Sequence, residues 1–300
     1  MQKSKVKLNG GFQNEVFHIQ GKGKVLRISG MHKTEKMIKQ EIEWMIYLHN
    51  AGLAVPLPDV NLDISNGRVG TFFEYIEGNQ VDVTNHSHWN LKTFKEFGRI
   101  LGKMHAVSKE YEVVEIYRPV WTKEDPDVFD LKNSLNDEMR RIYESLLQDL
   151  LPYSITKDTY GLIHNDFHQG NLIVNNTGNI VVIDFDDCSF NWFAQDIAVF
   201  FYHAYWQQDS FNGMLDQFGH EFMHHFFAGY QEENTLHETT IKQIPTFLKL
   251  REVFLYRLFR EKWDLTQLEE WQKYTLDDLE RKITNQLPFG GITDFSDYLS

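Results

Sequence analysis

The sequence has 300 residues, of which 42% are hydrophobic and only 7 are proline, a composition that excludes a disordered or collagen-like chain. Its 43 acidic side chains outnumber its 30 basic ones, so the formal net charge of −13 disfavours nucleic acid and anionic membranes as partners and favours cationic ones. The single cysteine, Cys188, excludes an internal disulfide framework and a cysteine-based zinc site, and it fits a cytoplasmic protein.

No stretch of the sequence predicts a signal peptide or a membrane-spanning helix. Residues 1–7 lack the apolar core of a signal peptide, and no window approaches the roughly 18 uninterrupted apolar residues that span a bilayer. The most apolar run, residues 197–206, is interrupted by His203 and predicts a buried helix. We therefore expect a cytoplasmic protein whose partner is neither a membrane nor a nucleic acid. The sequence neither indicates nor excludes a homodimer.

Residues 1–78 are predicted to form a small β-rich domain with one helix. Short runs that alternate between apolar and polar side chains indicate strands, and apolar residues at steps of three and four indicate the helix. The predicted strands are residues 6–8, 15–20, 25–29 and 71–76, and the predicted helix is residues 33–50. Gly52, followed by Pro56 and Pro58, prevents this helix from continuing.

Residues 79–300 are predicted to form a larger, mostly helical domain. Apolar residues recur at helical spacing from Phe94 to Met104 and from Leu131 to Leu150, and everything beyond residue 188 has a helical pattern. Within residues 160–187, short apolar runs predict strands, two of which are joined by a hairpin turn at residues 175–179. Because strands and helices are segregated rather than alternating, the predicted fold class is α+β.

The residues most informative about chemistry lie between residues 163 and 187. Asp166 follows an apolar strand, Asn171 opens the next strand, and Asp184 ends the second strand of the predicted hairpin. Antiparallel pairing should therefore bring Asn171 and Asp184 together. Two hard oxygen ligands suit Mg²⁺, and a separate carboxylate can orient a hydroxyl group and take its proton. These are the components of a phosphoryl-transfer site.

These motifs resemble those of the aminoglycoside phosphotransferase-like family, which includes choline and type II homoserine kinases and has a protein-kinase-like fold. The pattern His-x-Asp-x-x-x-x-Asn is met by His164, Asp166 and Asn171, with His168 two residues after the aspartate. The metal-binding motif Ile-Asp-Phe-Asp-Asp is met by residues 183–187, and a structural Asp-hydrophobic-Ala motif by residues 196–198. The resemblance covers residues 8–205 and implies a two-lobed molecule.

The resemblance implies that residues 1–78 are the nucleotide-binding lobe and that residues 79–300 are the catalytic and acceptor-binding lobe. It implies transfer of the γ-phosphate of ATP, with Mg²⁺, to a hydroxyl group. Asp166 would orient that hydroxyl and accept its proton, and Asn171 and Asp184 would hold the metal. His164 would hydrogen-bond the backbone of the catalytic loop, and Asp196 would brace this loop.

The resemblance also implies which residues contact the nucleotide. The loop Gly10, Gly11, Phe12, Gln13 and Asn14 takes the place of the phosphate-covering loop, although it is not a G-x-G-x-x-G sequence and a plain hairpin turn is the alternative. Arg27 stands where the family carries a lysine, and its acidic partner is Glu41 or, in a competing register, Glu43. Glu74, Tyr75 and Ile76 take the place of the segment whose backbone pairs with adenine.

The acceptor is predicted to be a small molecule that binds between Asp166 and the C-terminal helices, roughly residues 200–265. The acidic balance favours an amine-bearing acceptor of the homoserine, amino alcohol or aminoglycoside class. His168, Asp186 and Asp187 are candidate acceptor contacts, and the two aspartates have the alternative roles of supporting the metal ligands or of forming a turn. Arg251, Tyr256, Arg257 and Arg260 are predicted to share one helix face, which meets either the acceptor or water.

Three alternatives stay open at this point. The chain could be a bacterial Ser/Thr protein kinase of the same family, or a catalytically inactive kinase-like binding protein, for which Arg27 is the argument. The sequence His220-Glu221-Phe222-Met223-His224 also matches the H-E-x-x-H motif of zinc proteases. That motif needs a third ligand, and no downstream residue has a compelling spacing.

Overall fold

The computed structural model describes residues 5–8, 14–65, 67–128 and 130–299. Backbone contacts divide the chain into two compact units, each of them discontinuous in sequence. The first unit contains residues up to 89, 110–118 and 169–188, and the second contains residues 90–109, 119–168 and 189–300. The assignment of nucleotide and acceptor roles to either side of residue 78 stays a prediction.

The described residues form ten strands and seven α-helices. The strands are β1 (Lys5–Leu8), β2 (Glu15–Ile19), β3 (Lys24–Ile28), β4 (Asp63–Ser65), β5 (Arg68–Glu74), β6 (Gly78–Gln80), β7 (Tyr160–Ile163), β8 (Leu172–Asn175), β9 (Ile180–Val182) and β10 (Ser189–Trp192). The helices are α1 (Glu35–Asn50), α2 (Leu91–Lys109), α3 (Asp137–Leu150), α4 (Phe193–Phe211), α5 (Leu215–Glu233), α6 (Glu238–Lys262) and α7 (Glu270–Thr284). None of the helices in the described ranges combines the length and apolarity that crossing a bilayer requires.

The first unit contains a five-stranded antiparallel sheet in the order β1-β2-β3-β5-β4. Helix α1 begins after Thr34, whose side chain accepts a hydrogen bond from the backbone N–H of Met37 and so caps the helix. Ile38 and Ile42 of α1 pack with Val69 of β5 in an apolar cluster. This packing places Glu41 on the buried side of the helix, in the same unit as β3.

A second sheet of the first unit, in the order β6-β8-β9, carries the candidate metal ligands. β8 and β9 pair antiparallel, with Leu172 opposite Val182. Their connection is tight because Gly178 has a φ of 84°, a conformation that glycine adopts without steric cost. The backbone N–H of Val182 also donates to the carbonyl oxygen of Ala54, which ties this hairpin to the rest of the unit.

The second unit contains six of the seven described helices and the two-stranded sheet of β7 and β10. Helices α2 and α5 approach closely at Gly98, where a Cβ atom would come within 1.9 Å of the carbonyl oxygen of Phe226. Gly102 makes a similar approach to the backbone of Tyr230. Because any larger residue would separate the helices, these glycines set the spacing that brings side chains of α2 and α5 together behind the catalytic loop.

Most predicted elements are present, and the differences have local causes. The prediction that everything beyond residue 188 is helical is wrong at β10, whose four side chains are all buried and therefore show no alternation. The apolar pattern from Leu131 becomes α-helical only at Asp137, because Asn136 caps the helix there. β4 and β6 have only three residues each, too few for a periodic pattern.

Candidate active site

The catalytic loop of the second unit is held by the carboxylate of Asp196 on α4. Its two oxygens accept hydrogen bonds from the backbone N–H groups of His164, at 3.0 Å, and Asn165, at 2.6 Å. The backbone N–H of Asp166 then donates to Nδ1 of the buried His164, at 3.3 Å. Asn165 has a φ of 71°, a strained conformation that asparagine tolerates better than most residues. The bracing role predicted for Asp196 is confirmed.

Asp196 is itself oriented by a buried hydrogen-bond chain. Asn234 donates to the hydroxyl of Tyr230, at 3.0 Å, and that hydroxyl lies 2.8 Å from Nδ1 of His105. Burial lowers the pKa of His105, so its ring is neutral, accepts at Nδ1 and carries its proton on Nε2. Nε2 lies 3.3 Å from Oδ2 of Asp196. Helices α2, α4 and α5 thus cooperate to fix the carboxylate that fixes the loop.

Asp166 is a carboxylate surrounded by nitrogen-bearing side chains of the second unit. Its Oδ1 lies 2.8 Å from Nη2 of Arg251 on α6, and its Oδ2 lies 3.3 Å from Nε2 of His168. The ring of His168 stacks on that of His203, with a centroid distance of 4.5 Å. Burial alone would raise the pKa of Asp166, but His168 and Arg251 outweigh it and hold the pKa well below its usual range. The carboxylate is therefore ionised at neutral pH, and 29% of this side chain is exposed.

The first unit contains a cavity of about 480 Å³ that collects most of the residues predicted to contact the nucleotide. Its apolar walls include Val25, Phe73, Ile173 and Ile183. The predicted contacts that line it are Asn14, Arg27, Glu41, Glu74, Tyr75, Ile76, Asn171 and Asp184. Apolar walls suit a flat base, and the arginine together with the amide and carboxylate oxygens suits a phosphate chain that carries a metal ion.

Arg27 and Glu41 form a bidentate ion pair on the border of this cavity. The distances are 2.7 Å from Nη1 to Oε1 and 2.8 Å from Nη2 to Oε2, and both residues are buried. The guanidinium also lies over the ring of Phe73, 4.9 Å from its centroid. Burial opposes the charge of Arg27, but Glu41 and Asp186 outweigh it and raise its pKa. The competing partner Glu43 is exposed, so the register with Glu41 is the one the structure contains.

Asn171 and Asp184 flank the open end of the β8–β9 hairpin, as the sequence predicts. The backbone N–H of Ile183 donates to the carbonyl oxygen of Asn171, at 2.9 Å, which joins the two segments directly before Asp184. Asp184 has a φ of 62°, a left-handed conformation at the point where the strand turns into residues 185–187. Both side chains line the same cavity and supply one amide and one carboxylate oxygen, a donor set that fits Mg²⁺.

Asp186 is buried among cations of the first unit. Its carboxylate lies 3.7 Å from Nη1 of Arg27 and 3.5 Å from Nζ of Lys33, and Lys33 also donates to its backbone carbonyl oxygen, at 2.7 Å. Burial opposes ionisation, but Arg27 and Lys33 outweigh it and lower the pKa of Asp186. Asp187 is 38% exposed at its side chain and lies 3.5 Å from Lys33. Acceptor contacts by either aspartate stay a prediction.

The structure does not test whether all predicted site residues lie close together. Gly10, Gly11, Phe12 and Gln13 lie outside the described residues, so the phosphate-covering role of their loop stays a prediction. Asp166 and His168 belong to the second unit, whereas Asn171 and Asp184 belong to the first. The convergence of these side chains on one metal-bound nucleotide therefore also stays a prediction.

The H-E-x-x-H sequence lies on α5, but the described residues give it no metal site. The rings of His220 and His224 stack with centroids 6.2 Å apart, and His220 also contacts Tyr298. Within the described ranges, no group of three or more histidine, cysteine or acidic side chains is placed to hold a metal ion. The zinc-protease alternative therefore has no support in this part of the chain.

Sequence reasoning missed four residues that the site uses. Lys33 and Arg118 hold the segment after Asp184, since Arg118 donates to the carbonyl oxygens of both Asp186 and Cys188. His105 orients Asp196 from α2, and His203 faces His168 and Arg251 from α4. The only available signal was that His203 interrupts an otherwise apolar helix, because a buried polar residue in such a run needs a partner.

Comparisons with known proteins place the chain among related sequences. Residues 6–232 match the model of the phosphotransferase enzyme family. The chain is 33% identical over 271 residues to amicoumacin kinase of Bacillus subtilis (strain 168), covering 85% of this chain and 79% of that protein.

Solved structures agree as well. The complex of amicoumacin kinase hAmiN with AMP-PNP, Ca²⁺ and Ami has a TM-score of 0.86 and 26% identity, covering 98% of this chain and 91% of that one. A microcompartment-associated aminopropanol kinase, at 21% identity and a TM-score of 0.71, covers 97% and 94% and shows the same fold. The predicted α+β, protein-kinase-like fold is confirmed.

Proposed function

Because the chain belongs to the phosphotransferase enzyme family, we propose that it transfers the γ-phosphate of ATP to a hydroxyl group of a small, amine-bearing molecule in a reaction that requires Mg²⁺. The chain is a kinase, and the matching relatives are kinases of small molecules. The observation that carries the proposal is the position of Asp166: an ionised, partly exposed carboxylate on a loop that is fixed from behind by Asp196.

Asp166 acts on the acceptor hydroxyl. As a carboxylate it accepts a hydrogen bond from the hydroxyl, turns the oxygen lone pair toward the γ-phosphorus and receives the proton as the new P–O bond forms. Its low pKa makes it a weak base, which suits a late proton transfer in a loose transition state. The ADP oxygen leaves in line, and no residue of the chain becomes phosphorylated.

The cavity of the first unit binds the nucleotide. Its apolar walls hold the adenine base, and the backbone at Glu74, Tyr75 and Ile76 pairs with the edge of the base. Arg27 contributes positive charge to the phosphates, and its bidentate bond to Glu41 keeps the guanidinium in one orientation. Asn14 lines the same cavity and would contact the phosphates, and the phosphate-covering role of Gly10, Gly11, Phe12 and Gln13 stays a prediction.

Asn171 and Asp184 hold the metal ion. A Mg²⁺ ion held there would supply positive charge that offsets the charge of the phosphate chain. The two side chains fit this ion because both present oxygen donors to the same cavity. Since ATP and Mg²⁺ are supplied inside cells, we also propose that the protein acts in the cytoplasm.

Amicoumacin is the first acceptor to test, because the relative that is 33% identical is named for it. An amino alcohol such as aminopropanol is the second, on the weaker ground of a shared fold. The net charge of −13 favours a cationic acceptor over an anionic one.

The test is ATP consumption with Mg²⁺ across amicoumacin, aminopropanol, homoserine, aminoglycosides and a Ser/Thr protein substrate. We expect at least one amine-bearing small molecule to accelerate turnover and to gain one phosphate by mass spectrometry. Asp166→Asn should lower kcat by about 10²- to 10⁴-fold with the KM for ATP nearly unchanged. Asp158→Asn, which changes an exposed carboxylate of the same unit, is the matched control. If Asp166→Asn turned over at the wild-type rate, or only the protein substrate were phosphorylated, the proposal would be wrong.

A further inference from the structure

Arg251 on α6 contacts Asp166 directly, from a different element of the second unit. Its Nη2 lies 2.8 Å from Oδ1 of Asp166 and 2.7 Å from Nε2 of His203. A terminal guanidinium nitrogen carries two hydrogens, so each hydrogen of Nη2 has its own acceptor. This geometry requires a neutral His203 whose Nε2 is unprotonated and accepts the hydrogen bond. Burial and the charges of His168 and Arg251 lower the pKa of His203 well below its usual range, which meets the requirement.

Arg251 is buried and packs against an aromatic ring. The residue is 7% exposed, and its guanidinium carbon lies 4.9 Å from the centroid of the Phe254 ring. On another side Arg251 lines a cavity of about 30 Å³ whose further walls include Trp121, Leu131 and Phe247. Among the described residues, Asp166 is the carboxylate that forms an ion pair with Arg251, at 2.8 Å from Nη2.

Not every hydrogen-bond donor of Arg251 is satisfied. Its Nε–H is buried and has no hydrogen-bond partner among the described residues. Buried donors without acceptors are unfavourable and uncommon in folded proteins, so their presence calls for a compensating role. The contact with Asp166 supplies that role, because it joins a buried cation to the carboxylate on which the reaction depends.

We infer that Arg251 is a positioning residue that holds the carboxylate of Asp166 ionised and turned toward the acceptor hydroxyl. With Oδ1 bound to Arg251 and Oδ2 facing His168, the plane of the carboxylate is fixed before any substrate arrives. The inference rests on the proposed function, since it assigns Arg251 a role only through Asp166.

The pH dependence of the reaction separates this role from a merely structural one. The titratable and charged groups that face Asp166 within the second unit are His164 and His168 on its own loop, His203 on α4 and Arg251 on α6. Burial raises the pKa of Asp166, and the positive charge of Arg251 is one of the effects that lower it. Without that charge, the pKa of Asp166 should rise. The acid limb of kcat should then move to higher pH, whereas a loss of packing alone would not move it.

The experiment measures kcat and the KM of ATP and acceptor for wild type, Arg251→Gln and Arg251→Lys between about pH 3 and pH 8, because the acid limb of the wild type is expected below pH 4.5. For Arg251→Gln we expect at least a tenfold lower kcat, an acid limb raised by about one pH unit or more, and a KM for ATP within about twofold of wild type. Arg251→Lys keeps the charge, so its acid limb should stay near the wild-type position, but kcat should fall because an ammonium lacks the planar fork. Arg99→Gln is the control, since it removes an arginine of the same unit that pairs with Glu96 and Glu233.

The outcomes are distinguishable from failure of the proposed function. If wild type phosphorylates an acceptor and Asp166→Asn does not, the proposed function stands; a folded Arg251→Gln with wild-type kcat and acid limb then overturns the inference alone. If Arg251→Gln does not fold, Arg251→Lys decides: a reduced kcat with an unchanged KM for ATP supports the inference, and an unchanged kcat overturns it. If wild type phosphorylates none of the acceptors, the proposed function fails without reference to Arg251.

Discussion

The backbone N–H of Asn165 lies 2.6 Å from Oδ1 of Asp196, so the residue directly before the candidate catalytic aspartate is held by a buried carboxylate from α4. The same carboxylate accepts from His164, which makes it a clamp on two consecutive peptide groups. A clamp of this kind compensates the strained φ of 71° at Asn165. Catalysis and stability should therefore depend together on Asp196, although its side chain is fully buried.

Asp196→Asn should be destabilising and nearly inactive. An amide presents one acceptor oxygen, so one of the two backbone N–H groups would face an NH₂ group instead of an oxygen. We expect the free energy of unfolding to fall by about 2–4 kcal/mol, measured by urea denaturation, and kcat to fall more than the KM for ATP rises. Asp209→Asn, at an exposed position of the same helix, is the control. Wild-type stability and turnover in Asp196→Asn would contradict the clamp.

Glu41→Gln should weaken nucleotide binding through Arg27. The substitution leaves the buried guanidinium without its bidentate partner, and Asp186, 3.7 Å away, compensates only part of the charge. We expect a loss of about 3 kcal/mol in the free energy of unfolding and a KM for ATP raised about tenfold. Glu43→Gln changes the exposed glutamate two positions along the same helix and should alter neither quantity. If both variants changed stability and the KM for ATP equally, the ion pair of Arg27 and Glu41 would have no specific role in nucleotide binding.

Asp184→Asn should raise the Mg²⁺ concentration that half-saturates turnover. The change replaces an anionic oxygen ligand by a neutral one while keeping the size of the side chain, so we expect at least about a tenfold increase. EDTA should abolish wild-type turnover, and added Mg²⁺ should restore it. Asp63→Asn alters an exposed carboxylate of the same unit and serves as the control. An unchanged Mg²⁺ dependence in Asp184→Asn would show that this residue is not a ligand.

Cys188 should resist alkylation in the folded protein. The thiol is fully buried, and burial raises its pKa to about 12, so at pH 8 on the order of one thiol in ten thousand is the reactive thiolate. Because the chain has a single cysteine, intact mass after iodoacetamide treatment gives the labelled fraction directly. Labelling should be complete in 6 M guanidinium chloride and negligible in buffer within the same time. Fast labelling of native protein would mean that the segment after Asp184 opens readily.

Local sequence patterns predicted much of the first unit and of the hairpin that the candidate metal ligands flank. The hairpin could be found because a glycine-containing turn separates two apolar runs, and pairing them leaves Asn171 and Asp184 at the same end. The partner of Arg27 could be narrowed to Glu41 or Glu43 by helical spacing. Which of the two pairs with it depends on how α1 packs against the sheet, which places Glu41 inside and Glu43 outside.

Contacts between distant segments of the chain could not be predicted in the same way. Arg251 and Asp166 are separated by 85 positions. The prediction that Arg251 shares one helix face with Arg260 is wrong, because the two lie nine residues apart on α6, about 180° around the helix, and line different cavities. The hydrogen bonds that join Tyr230, His105 and Asp196 depend on how α2 packs against α5. Gly98 and Gly102 allow the two helices to approach closely, but they do not determine which side chains meet. A periodic pattern predicts which side of a helix or strand is buried, but it does not predict which other element packs against that side.

The discontinuity of the first unit bears on how the protein is made. β6 pairs with β8, a strand that leaves the ribosome only after most of the second unit's first half has been synthesised. A chain that ends near residue 89 lacks β8, so β6 has no partner strand and its edge is unpaired. Such a chain also lacks Asn171 and Asp184. A truncated gene for the N-terminal segment alone would consequently encode an incomplete, association-prone fragment rather than an autonomous ATP-binding domain.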